Sequence, residues 1–170
     1  MNWKKLQNGS DIRGVALEGI EGEHVNLTPE VIETIAKSFV CWLRGVSGNA
    51  VPTIATGTDC RLSGDSIKGA FVKGAVDAGA NVVDCGLAST PAMFMTTISE
   101  QVNATASVMV TASHLPFNRN GLKFFTPKGG LDSKDIAAIL AIAESGDYAF
   151  NGAKGNASAL DFMAVYSRHI

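Results

Sequence analysis

VPTIATGTDCRLSGDSIKGAFVKGAVDAGANVVDC, residues Val51 to Cys85, is the stretch on which the fold turns. Val51 to Thr58 is β-rich and runs into a loop, Gly57-Thr58-Asp59-Cys60-Arg61. Ser63 then stands where a helix cap belongs, ahead of Ile67, Ala70, Phe71, Ala75 and Ala78 at helical spacing. Gly79 closes that helix, and Asn81-Val82-Val83-Asp84-Cys85 reads as the next strand. Two strands joined by a helix rather than a tight turn require a crossover connection, which makes them parallel.

The same alternation extends on both sides. Upstream, Thr28-Pro29 supplies cap and first position for a helix carrying Val31, Ile32, Ile35, Phe39, Val40 and Leu43, with Gly45 at its expected end. Downstream, Thr90-Pro91 opens a helix through Ile98, Ala104 to Val110 is an almost unbroken apolar strand, and Leu122 to Phe125 is a short one. Asp132 or Ser133 caps a helix through Ile136, Ile139, Leu140 and Ala143, and a last helix is expected over Ala159 to Arg168 after a Gly-, Asn- and Ser-rich surface connection. Ser107-Val108-Met109-Val110 lacks polar alternation, which suits a central strand covered on both faces. The expected architecture is α/β, a three-layer α/β/α sandwich with a mixed, mostly parallel sheet, in a single domain over residues 1–170.

Composition narrows the function classes. At 46% hydrophobic residues the chain can bury a core, so disorder is excluded, and 18 Gly without a repeating period exclude collagen. Fourteen Lys plus Arg against sixteen Asp plus Glu leave a net charge of −2, without the basic footprint of a general nucleic-acid binder. No stretch approaches the length of a membrane span, and no leader pattern follows Met1. Cys41, Cys60 and Cys85 are an odd set without a CxxC pair, so a reducing, cytoplasmic setting is expected, with Cys60 and Cys85 as small core residues. His24 and His169 lack partners at metal-ligand spacing and read as surface residues.

Charge is unevenly placed. Between Glu100 and Asp132 there is no acidic residue, while His114, Arg119, Lys123 and Lys128 all fall there, a local positive field suited to a small anion. Within it, Thr111-Ala112-Ser113-His114-Leu115-Pro116 follows directly on the most hydrophobic strand, and Asn118-Arg119-Asn120-Gly121 reads as a turn. A loop at the carboxyl end of a sheet strand is where α/β folds hold ligands. Ser113 is thus expected at a strand tip, beside an imidazole and ahead of cations able to hold a phosphate by charge-assisted hydrogen bonds. The absence of a GxSxG elbow argues against a hydrolase reading of Ser113 and His114. Arg119 and Lys128 read as solvated rim charges.

Thr111-Ala112-Ser113-His114 with Pro116, Asn120-Gly121 and Lys123 resembles the phosphoserine loop of the α-D-phosphohexomutases, the phosphoglucomutase and phosphomannomutase superfamily. Ser10-Asp11-Ile12-Arg13-Gly14, Gly57-Thr58-Asp59-Cys60-Arg61-Leu62-Ser63 and Gly86-Leu87-Ala88-Ser89-Thr90-Pro91 agree in the same order. The resemblance implies that Ser113 carries the transferable phosphoryl group and, through it, one ligand of Mg²⁺, the remaining ligands lying outside this chain. It implies catalytic roles for His114 and Lys123 and phosphate contact for Arg13, in an N-terminal loop, with Asn120 and Gly121 as the turn that returns Lys123 to the site. Asp59 and Arg61 match a signature expected to be architectural. Leu115 departs from the family's usual Asn.

The implied reaction moves phosphate between the 1- and 6-positions of a hexose phosphate through a hexose 1,6-bisphosphate, which also serves as activator. The resemblance covers the family's first domain, so its second to fourth domains are expected partners in the same polypeptide, and this part alone is expected to be inactive. Neither nucleic acid nor membrane is an expected partner. The alternative is a non-catalytic sugar-phosphate-binding or assembly module that keeps the serine loop.

Overall fold

The computed structural model describes residues 1–60, 62–111 and 115–168. Arg61, Ser113, His114 and His169 therefore lie outside the described residues. After a short 3₁₀ turn (Trp3–Leu6) come β1 (Gln7–Asn8), β2 (Asp11–Val15), α1 (Pro29–Ser47), β3 (Thr53–Thr58), α2 (Gly64–Asp77), β4 (Asn81–Leu87) and α3 (Thr90–Met95). They are followed by β5 (Ala106–Val110), β6 (Arg119–Thr126), β7 (Gly129–Gly130), α4 (Ser133–Ser145), β8 (Ala157–Ala159) and α5 (Phe162–Ser167).

All the strands join one sheet in the order β1-β2-β6-β5-β3-β4-β8, with β7 paired to β6. β3 pairs in parallel with β4 and with β5, and β4 with β8. β6 runs antiparallel to both β5 and β2, so β2 points the same way as β5. The crossover expected from residues 51–85 is present, with α2 between parallel β3 and β4.

Each face of the sheet carries its own core. On one, Ile32, Ile35 and Phe39 of α1, Ile67 and Phe71 of α2 and Ile136, Ile139 and Leu140 of α4 pack on Ile12, Ile54, Val108, Val110, Leu122 and Phe124. Phe39 and Phe124 lie with ring centroids 4.5 Å apart at its centre. On the other, Ala92 and Met93 of α3 and Phe162 and Val165 of α5 pack on Ala55, Met109 and Phe125. That is the expected α/β/α sandwich, because strands with both faces apolar must be covered twice.

Several boundaries differ from the sequence reading. Gly45 lies inside α1, which continues to Ser47 and ends on Gly48 in the left-handed region, φ 70°. Ser63 occupies the N-cap of α2 but makes no cap bond, because its hydroxyl accepts the side-chain amide of Asn120 at 2.8 Å instead. Thr90–Met95 is shorter than the helix expected to reach Ile98, and the final helix begins at Phe162, with Ala157–Ala159 paired to β4 as an edge strand. Residues 119–121 belong to β6 rather than to a turn, and Arg13 stands in a strand rather than a loop. In both places Asn, Gly and Asp masked strands whose backbones are claimed by tertiary pairing.

Candidate functional site

β2, β6 and the end of β5 set the geometry. Gly121 pairs with Arg13 on one side, and on the other its carbonyl accepts the amide of Thr111 at 3.0 Å. One step along, Lys123 pairs with Met109. Side chains two residues apart on a strand share a face, so Asp11 and Arg13 of β2 stand beside Lys123 of β6. This is the face on which Met109 and Phe125 pack under α3 and α5. The Lys123 side chain stays 35% exposed there, whereas that of Asp11 is only 10% exposed.

Asp11 binds both cations. One of its carboxylate oxygens accepts from Lys123 Nζ at 3.1 Å, the other from an Arg13 Nη at 3.1 Å. Arg13 Nε is buried and has no hydrogen-bond partner among the described residues. Two positive groups and one negative leave this cluster a net charge of +1, and its uncommitted donors comprise the buried Nε of Arg13 and the exposed side of the Lys123 ammonium. Such an arrangement can take an anion.

Gly121 makes the approach possible. A Cβ there would collide with the Ile12 carbonyl oxygen, lie 2.8 Å from Arg13 Cγ and lie 3.2 Å from the Thr111 carbonyl oxygen. Only glycine lets the Arg13 stem lie across β6. Asn120, one residue earlier, points the other way and is fully buried. Its amide nitrogen donates to Ser63 Oγ at 2.8 Å and its oxygen accepts from the Gly121 amide at 2.9 Å. Asn120 thereby ties the start of α2 to β6 and presents no group to the Arg13–Lys123 face.

The strand ends on either side of residues 112–114 are braced. Thr111 Oγ1 donates to Asp59 Oδ2 at 2.7 Å, and the Asp59 amide donates to the Val110 carbonyl at 3.3 Å, joining the loop after β3 to the exit of β5. Beyond Leu115, Glu23 Oε1 accepts from Arg119 Nη2 at 2.7 Å and Nε at 3.0 Å, and the amides of Ala16 and Leu17 donate to the Asn118 carbonyl. Arg119 is thus tied to the loop after β2, not a solvated rim charge. Lys128 and His24 are exposed.

Of the residues singled out in the sequence, the structure gathers Arg13, Gly121 and Lys123 and sets Asn120 behind them. Ser113 and His114 fall outside the described residues. Asp11 went unnoticed as a functional residue. Its signal was its place two residues before Arg13, which on a strand means one face. A cavity of about 690 Å³ lies at the opposite end of the sheet, between Trp42, Asn103, Lys128 and Asp135, away from this chemistry. Cys60 is exposed, not a core residue, whereas Cys85 is buried and burial pushes its thiol up to about 12. No three His, Cys, Asp or Glu side chains among the described residues are grouped so as to hold a metal ion.

Known proteins resemble this chain in sequence and in fold. Residues 4–150 match the model of the phosphoglucomutase/phosphomannomutase family, alpha/beta/alpha domain I. A phosphoglucosamine mutase of Ruminiclostridium cellulolyticum is 37% identical over 122 residues, 71% of this chain and 25% of its own length. A phosphoglucomutase/phosphomannomutase of Thermococcus kodakarensis is 35% identical over 153 residues, 89% of this chain and 31% of its own. The chain thus spans about a quarter to a third of these relatives. A crystal structure of a phosphoglucomutase/phosphomannomutase family protein from Burkholderia thailandensis superposes on 93% of this chain and 33% of its own, with a TM-score of 0.75 at 24% identity, a likeness of fold. With its α/β/α layers, its motifs in order and this family match over most of its length, the chain belongs to the phosphoglucomutase/phosphomannomutase family.

Proposed function

We propose that this chain is the phosphoserine-bearing first domain of a phosphohexomutase, with the family's other domains as partners in one polypeptide, working in the cytoplasm. The observation that carries the reading is Arg13 Nε, a buried cationic donor without a partner among the described residues, on a guanidinium that shares Asp11 with Lys123. A buried polar group without a partner is costly unless a ligand completes it. Ser113 follows Thr111 by two residues in the chain. Thr111 in turn is bonded to Gly121, across which Arg13 lies.

In the proposed reaction the free hydroxyl of a hexose monophosphate attacks the phosphorus of phosphorylated Ser113. The bond from phosphorus to serine oxygen breaks, and a hexose 1,6-bisphosphate forms. After the bisphosphate turns over, the serine oxygen attacks the other phosphate, which restores phosphoserine and releases the isomeric monophosphate. His114 is assigned the proton movements at the serine oxygen. Arg13 and Lys123 offset the charge on the transferred group, where positioning and electrostatics supply most of the catalysis. Gly121 and Asn120 hold the strand that carries Lys123. The described residues provide no ligand set for Mg²⁺, so its further ligands would come from the other domains, and the ion carries no step here.

A coupled mutase assay tests the reading. The longest protein that the reading frame encodes should convert hexose 1-phosphate to the 6-isomer in the presence of the 1,6-bisphosphate, and Ser113→Ala should lose at least about 10³-fold. Wild-type turnover in Ser113→Ala would remove the phosphoserine. A protein that binds hexose phosphate without converting it would be a binding module instead.

A further inference from the structure

We infer that Asp11 is a positioning residue: the shared carboxylate that fixes Arg13 and Lys123 relative to one another, so that both present their remaining donors to one anion. The inference rests on the phosphate reading for what that anion is, but the arrangement itself follows from the side chains alone. Lys123 sits on a flexible four-carbon stem and is partly exposed, and Arg13 has four rotatable bonds, so neither would hold one direction unaided. Asp11 holds both at 3.1 Å, through different oxygens.

Its own place is rigid. Asp11 pairs with Asn8 of β1, and the residue after it, Ile12, pairs on both sides, with Gln7 of β1 and Leu122 of β6, so the carboxylate springs from a backbone held within the sheet. Burying a carboxylate to 10% side-chain exposure is tolerated because two cations meet it, and conversely Asp11 suppresses the repulsion that would drive two adjacent cations apart.

A purely structural ion pair would end neutral and saturated. This cluster keeps an excess positive charge and a buried Arg13 donor with no partner among the described residues. Gly121 completes the device, since a Cβ there would lie 2.8 Å from Arg13 Cγ, so that its absence leaves room for the stem whose Nη Asp11 holds. The carboxylate thus acts through Arg13 and Lys123 rather than on the anion, which it would repel.

Asp11→Asn and Asp11→Glu in this chain test the inference, with the Arg13 Nε–H resonance, assigned through Arg13→Lys, as the spectroscopic readout and thermal unfolding as the check on the fold. Inorganic phosphate is then titrated into each protein. Wild type should show a distinct, exchange-protected Nε–H signal. Asp11→Asn should merge it with the freely rotating arginines and weaken phosphate binding about tenfold, although one negative charge has been removed. Asp11→Glu, which keeps the charge but displaces it, should shift the signal and recover part of the affinity. If Asp11→Asn does not fold, Asp11→Glu alone decides, by whether the signal moves. An unchanged Nε–H signal and unchanged affinity in a folded variant would overturn the inference. A signal that depends on Asp11 in a protein that takes up no phosphate would uphold the positioning and overturn the phosphate reading instead.

Discussion

Gly121 shows how a single residue fixes the site. Its missing side chain is where Arg13 crosses β6, and no rotamer change can relieve the collision that a methyl group would make with the Ile12 carbonyl. Gly121→Ala should therefore cost about 1–3 kcal/mol of stability, the usual cost of overpacking. A chemical denaturation curve with an unshifted midpoint would show that β2 and β6 separate more easily than their pairing implies. The thiols make a second test at this scale. Exposed Cys60 should be alkylated by iodoacetamide in the folded chain, whereas Cys85, buried with its thiol raised to about 12, should react only on unfolding. Mass mapping that finds Cys85 modified first would mean that the α3–α5 side of β4 opens readily. Arg13 and Lys123 were readable in the sequence through the resemblance of their motifs. Asp11 was not, because its importance lies in a pairing between positions 112 residues apart.

At the scale of elements, helices announced themselves and some strands did not. Thr28-Pro29 caps α1 as its residue types foretell, the Thr28 side chain accepting from the Val31 amide at 3.2 Å. Asp132 and Asp135 form a reciprocal capping box at α4, with bonds of 2.9 and 3.1 Å. Asp132→Ala should then lower stability by about 1 kcal/mol without touching the Arg13–Lys123 cluster. A loss in phosphate affinity equal to that of Asp11→Asn would show that α4 and the cluster are coupled. β2 and the first residues of β6 escaped notice, since Asp, Asn and Gly have low strand propensity. They are strands because β5 and β1 offer them partners, a condition outside any local window.

Across the whole molecule, charged groups stitch the outer layer to the loops. Lys73 and Asp77 of α2 pair with each other, Lys73 also with Glu33 of α1, and Asp77 with Lys154 of the connection that leads to β8, each at 3.1 Å. Hydrogen bonds from Lys154 and then Lys73 hold the Asp77 carboxyl below the usual carboxylate range. A depressed carboxylate stabilises the fold above its ordinary pKa, and that contribution is lost as pH falls through the lowered value. Asp77→Asn should consequently lower the melting temperature slightly at pH 7 in dilute buffer, and the difference should vanish at strongly acidic pH and in 1 M salt. A difference that persists in acid would assign the effect to packing.

The two sides of the sheet also divide what a linear reading reaches. The amino-acid sequence by itself determined the layers, since apolar periodicity at 3.6 residues for α1, α2 and α4 and unbroken apolar runs for β5 depend only on near neighbours along the chain. It also carried the ordered motifs that mark the family. The tertiary structure alone decided that β6 runs against β5, that Asn120 turns inward to Ser63 while Lys123 turns outward to Asp11, and that Arg13 rests on Gly121. Those are pairings between distant segments, and a strand's register fixes at once which side chains share a face, so one alignment of β2 with β6 brings Asp11, Arg13 and Lys123 together.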